Sequence, residues 1–164
     1  PVMLIAFAVA CMAVYIVNST AAIDAKPKYA DAAGIAAMMC VSFGVTNALV
    51  AVYGMPEAAL FFPVFDAVFA FMVWRAWQRT RKVWKLIVAG LLVGQLAMHV
   101  AMIASWNNGL LTHSGLVSYV FMLNADFTLQ LLAVGSAGVS YWVSRAVHWL
   151  SRVRREPVEA YARK

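Results

Sequence analysis

Five apolar runs, each about as long as a bilayer is thick, fill most of this chain, and the basic residues cluster around their ends. Lys and Arg occur in only three places: Lys26 and Lys28, the run Arg75–Lys85, and Arg145–Lys164. A helix that crosses the hydrocarbon core takes roughly 20 mostly apolar residues, so five of them use roughly 100 residues and leave short links. The composition agrees: 64% of the residues are hydrophobic and 12% are charged, with a mean hydropathy of +0.77. Soluble domains run nearer ~45–50% apolar and ~25% charged. The expected fold is an all-α polytopic transmembrane helix bundle of five spanning helices. Residues 1–156 are expected to form a single membrane domain, and 157–164 a short basic tail.

Cytoplasmic loops are enriched in Lys and Arg. Only one five-helix threading puts all three basic clusters on the same side. It has the N-terminus outside and the C-terminus inside, and it suits a bacterial cytoplasmic membrane. A cleaved leader is the competing reading of the first run, since Ser19-Thr20-Ala21 resembles a small-residue cleavage site. Cleavage there would reverse the later helices and put Arg75–Lys82 outside, so the uncleaved reading is preferred. The net charge of +6 is therefore an orientation signal and not a nucleic-acid footprint.

Turn residues and charges set the expected helix limits. Helix one runs Val2–Asn18, helix two Ala32–Tyr53 and helix three Glu57–Trp77. Helix four runs Trp84–Trp106, and helix five Gly115–Trp142 with an amphipathic extension to Arg155. Pro56 and Glu57 suit the first turn of helix three. Pro63, deeper in that helix, is expected to free a carbonyl near Ala59. In the extension, Arg145, Arg152, Arg154 and Arg155 are placed to meet anionic lipid headgroups.

Polar side chains inside a membrane usually face the bundle interior or a water-filled path. Here they fall at one depth. Asp66 lies nine residues after Glu57, His99 seven and Gln95 eleven before Trp106, and Asp126 eleven after Gly115. Asn47 lies seven before Gly54. At 1.5 Å per residue these positions sit roughly 10–17 Å below the outer surface. Gln95 and His99 share a helix face, as do Asp126 and Gln130, whereas Asn124 points away from Asp126. The expected ligand- or ion-binding layer is Asp66, Gln95, His99, Asp126, Gln130 and Asn47. Two carboxylates and an imidazole suit a cation or a proton. The structural alternative is that these groups bond one another and hold the bundle together.

No catalytic motif is visible, and no metal-ligand spacing either. Cys11 and Cys40 are read as small packing residues. Haem b is conceivable only if His99 finds a second imidazole, with His113 in the outer loop the nearest choice. Gly90 and Gly94 form a GxxxG pattern in helix four, and Gly135 and Gly138 a small-residue patch in helix five. All four are expected to serve helix packing, Gly90 and Gly94 inside the bundle.

The first functional reading is a non-catalytic subunit packed into a larger membrane assembly, with other subunits or further copies as partners. The alternative is a small oligomeric transporter or channel, including a phage-type permeabilising protein, that uses the buried layer. A haem-binding redox subunit comes third.

Overall fold

The computed structural model describes residues 2–25, 29–55 and 57–162, with side chains described for 4–25, 29–55 and 57–152. Lys26, Lys28 and Pro56 lie outside the described residues, as do the side chains of Arg154 and Arg155. Five α-helices follow one another: α1 Val2–Asp24, α2 Ala30–Tyr53, α3 Phe62–Thr80, α4 Val83–Asn107 and α5 His113–Ala162, with a 3-10 turn at Glu57–Leu60 before α3. Each of the five is long and apolar enough to cross a membrane.

The limits depart from expectation where side chains bond to their own helix. Helix α1 passes through Asn18-Ser19-Thr20 because Asn18 donates to the Val14 carbonyl at 2.8 Å and Thr20 to the Ile16 carbonyl at 2.9 Å. Polar residues that satisfy themselves one turn back do not end a helix. Pro63 does not loosen α3 but starts it. It stands in the first turn, where its missing N–H costs no hydrogen bond. Helix α3 ends at Arg81, which adopts the left-handed region (φ 53°) and donates its N–H to the Trp77 carbonyl at 2.7 Å. The link to α4 is therefore two residues long. Helix α5 does not stop at Trp142, Arg155 or Pro157, and its backbone stays helical to Ala162.

The helices close into an uneven ring. α1 lies between α2 and α5, α4 lies between α3 and α5, and α2 meets α3 only lightly. One apolar cluster, around Cys11, Met39, Phe69, Val88 and Val134, fills the middle. A second, around Ala59, Phe62, Met102 and Tyr119, sits near the 3-10 turn. Large apolar side chains such as Ile5, Val41, Val64, Phe71, Val93 and Leu132 cover the outside. An apolar exterior of this extent suits lipid, not water.

Charged and hydroxyl groups fasten the end where α1 and α3 finish. Lys85, 2% exposed, meets Asp31 at 2.5 Å, Thr80 Oγ1 at 2.8 Å and the Ala76 carbonyl at 3.3 Å. Asp24 of α1 accepts from Arg145 and Tyr141 of α5. Gly138 lets α1 approach α5. A Cβ there would stand 2.7 Å from Val17 Cγ1 and 3.0 Å from Asn18 Oδ1. Gly135 has more room, 3.5 Å from Val14 Cγ2. Gly90 and Gly94 do not pack inside the bundle. Both are exposed, with nothing within 4 Å of where a Cβ would stand. Ala97, Ala101 and Ala104 extend the same outward strip of α4.

Candidate functional site

Helix α3 sets Asp66 one turn past Phe62, pointing inward. Helix α4, folded back by the short link at Arg81, brings His99 opposite. Asp66 Oδ2 lies 2.8 Å from His99 Nε2. The other ring nitrogen, Nδ1, lies 2.5 Å from the hydroxyl of Tyr119 on α5. Asp66 and His99 are 3% and 1% exposed. Phe62 stands edge-on to the imidazole, with ring centroids 5.3 Å apart. Three helices thus contribute one carboxyl, one imidazole and one phenol in a row. With a neutral imidazole, the Tyr119 hydroxyl donates to Nδ1 and the Nε2 hydrogen is turned toward Asp66.

The Asp66–His99 contact is close but poorly aligned for a hydrogen bond. Asp66 Oδ2 and His99 Nε2 have no hydrogen-bond partner in the protein. Buried polar atoms are rarely left so, because the loss costs about 1–3 kcal/mol each. Both residues line a cavity of about 220 Å3 to which all five helices contribute. Its polar lining comes from Asp66, His99, Gln95, Asn47, Asn124 and two hydroxyl residues, Ser42 and Thr46. The rest is apolar, and five phenylalanines dominate it: Phe7, Phe43, Phe62, Phe65 and Phe127.

The expected layer is thus brought together, with one change of role. Asn47, Asp66, Gln95 and His99 line the cavity, as does Asn124. Asp126 stands behind the wall. The Gln130 amide donates to Asp126 at 2.6 Å and to the Gln95 oxygen at 2.8 Å. Asp126 therefore reaches the cavity through two side-chain amides. The separation of Asn124 and Asp126 by 200° of helix rotation decides which of them faces inward. Tyr119 is the partner that sequence reasoning missed. An isolated Tyr in an apolar run reads as core, yet Tyr119, Asp126 and Gln130 recur at i, i+7 and i+11, a single helix face.

Helices α2 and α3 leave a seam beside this cavity. An apolar cleft lined by Met38, Val41, Val45, Val64, Val68 and Phe69 runs between them. It shares Ser42 and Phe65 with the polar cavity. Toward the other end it shares Met38 with a hollow that carries Asp31, Arg75 and Arg79.

Asp66 and Tyr119 stand against the two nitrogens of His99, so a haem iron would have to displace one of them. His113, the nearest candidate for a second axial ligand, is exposed at the start of α5. Among the described residues no three His, Cys, Asp or Glu side chains group as a metal site. No protein-family model, curated protein or solved structure matches this chain.

Proposed function

We propose that this chain is a small multi-pass transport protein that takes up and releases a proton or another monovalent cation at Asp66. The observation that carries the reading is the buried contact of Asp66 Oδ2 with His99 Nε2, 2.8 Å apart but without a well-aligned hydrogen bond, between two residues that line a cavity shared by five helices. A purely structural polar layer satisfies its members. This one satisfies Gln130 and Tyr119 but leaves its acid and its imidazole in a close contact without a well-aligned hydrogen bond. Intramembrane ionisable groups in such positions mark ion paths and proton relays. His99 holds a second proton acceptor within reach of the acid, and Tyr119 accepts or donates as the imidazole changes state.

The proposed setting is a bacterial cytoplasmic membrane, with the N-terminus outside and the described basic residues inside. The cavity then lies toward the outer face. In that setting Arg152 on α5, and the exposed part of Arg145 beside its ion pair with Asp24, would meet anionic headgroups.

Vesicles containing a pH-sensitive dye test the reading. Wild-type protein should relax an imposed pH gradient at least about tenfold faster than equally folded Asp66→Asn. Equal rates would overturn it.

A second reading, membership in a larger assembly of copies or other subunits, is favoured by the outward strip Gly90, Gly94, Ala97 and Ala101. Small residues on an exposed membrane helix allow another helix to approach closely. The two readings are compatible, since five helices make a thin wall around a pathway.

A further inference from the structure

The aromatic content of the cavity is higher than a proton alone requires. Phe7, Phe43 and Phe127, from α1, α2 and α5, pack as a trio with ring centroids 5.6–6.3 Å apart. Phe62 and Phe65 complete the lining on the α3 side. Among the described residues no Lys or Arg stands beside the acid in this chamber. Lys85 is engaged with Asp31, and Arg145 with Asp24, at the far end of the bundle. The groups nearest the cavity that titrate are Asp66, His99, Tyr119 and, behind Gln130, Asp126. Once the proton shared by Asp66 and His99 has left, with both acids ionised and the imidazole neutral, they form a net negative site. Aromatic faces attract cations, and more strongly where water is excluded. A carboxylate surrounded by phenylalanines is therefore complementary to a charge carried on an apolar body.

Size and access agree with that chemistry. A dry apolar cavity of ~150 Å3 admits benzene. The 220 Å3 here has room for an aromatic ring bearing a small ammonium group. The apolar cleft between α2 and α3 abuts the cavity at Ser42 and Phe65, so a molecule dissolved in the bilayer has only these two side chains to part in order to enter without crossing water. An inorganic cation would find that cleft a barrier, with no charged side chain along its lining.

We infer that the cavity binds a lipophilic organic cation, admitted sideways from the bilayer through the α2–α3 seam and held by Asp66 against the phenylalanine rings. The inference rests on the reading of the cavity as the transport site. Charge balances by exchange: as the cation pairs with Asp66, the proton held between Asp66 and His99 leaves. Loading the site with protons expels the cation again.

The test uses the full chain in phospholipid nanodiscs, with empty nanodiscs as the blank for partitioning. Phenyltrimethylammonium is the probe, and tert-butylbenzene is its neutral counterpart of nearly the same shape. The cation should bind wild-type protein at least tenfold more tightly than the neutral molecule and release close to one proton into weak buffer. Asp66→Asn should abolish that preference. Phe65→Leu, which keeps the wall apolar but removes a ring, should weaken the cation several-fold and leave the neutral probe unchanged. Proton release by the wild type decides the matter even if a variant fails to fold. Equal binding of the two probes, or cation binding without proton release, would overturn the inference. If the vesicles still relax a pH gradient through Asp66, the proton reading survives that loss. Cation-selective binding without any vesicle flux would leave the site standing and remove the transport role.

Discussion

Asp31 and Lys85 are unequal members of their ion pair. Lys85 is buried with three oxygen partners, whereas the Asp31 side chain is about a third exposed (36%). Breaking a fully buried pair by deleting one partner costs ~3–5 kcal/mol, because the other charge is stranded, while apolar replacement of a buried ion can be neutral. Asp31→Ala strands the ammonium and should destabilise the bundle by about 2 kcal/mol, discounted from that range because Asp31 is partly solvated. Lys85→Met strands only a carboxylate that can turn to water, and should change stability by less than about 1 kcal/mol. Thermal unfolding in mild detergent, followed by the reactivity of buried Cys11, ranks the two; a larger loss for Lys85→Met would refute the argument. Sequence reading placed Lys85 in a basic run that orients the chain. It did not separate Lys85 from Arg79 or Lys82, because inward turning depends on the two-residue link at Arg81. Asp66, Gln95 and His99, by contrast, were legible: their cost in lipid and their common depth are written in the spacing of the chain.

Between helices, close approach is decided by where a missing Cβ matters. At Gly138 a methyl group would collide with Val17, whose branched side chain has one preferred helical rotamer and so gives way poorly. Gly138→Ala should part α1 from α5 and cost about 1–3 kcal/mol, the usual penalty for overpacking. Gly94→Ala meets open space and should leave the folded chain unaffected, although it would weaken self-association if α4 pairs with another helix there. Thermal unfolding and chemical crosslinking of the two variants side by side separate these effects. The reverse result, a sensitive Gly94 and a tolerant Gly138, would contradict the packing described. Glycine spacing marked Gly90, Gly94, Gly135 and Gly138 alike, because it identifies a smooth face and not what that face meets. Helix lengths were legible to within a few residues, except where Asn18 and Thr20 bond back into α1, where a 3-10 turn at Glu57–Leu60 delays the start of α3 to Phe62, and where α5 stays helical to Ala162.

For the whole molecule, the described basic residues gather at the end where α1 and α3 finish, and the opposite end carries Glu57, Asn107, Asn108 and His113. That polarity is the basis of the proposed orientation. In a Cys11→Ala, Cys40→Ala background, Asn108→Cys should react with an impermeant thiol reagent added outside intact cells, and Arg79→Cys should react only after lysis. Inverted labelling would place the cavity on the inner side. The helix count and its polarity were legible because lipid imposes a length and a charge rule on every span. The phenylalanine-lined chamber was not, since it depends on how five rotations combine. The 50 residues of α5 add something mechanical to this picture. At 1.5 Å per residue they make a rod of ~75 Å, against a hydrocarbon core ~30 Å thick. The rod carries Tyr119, Asn124 and Gln130 in its first half, is tied to α1 at Tyr141 and Arg145 through Asp24, and runs on past that clamp to Ala162. A tilt applied beyond that clamp meets the Asp24 contacts before it meets the phenol and amides around His99, so the anchor on α1 stands between the projecting end and the cavity wall.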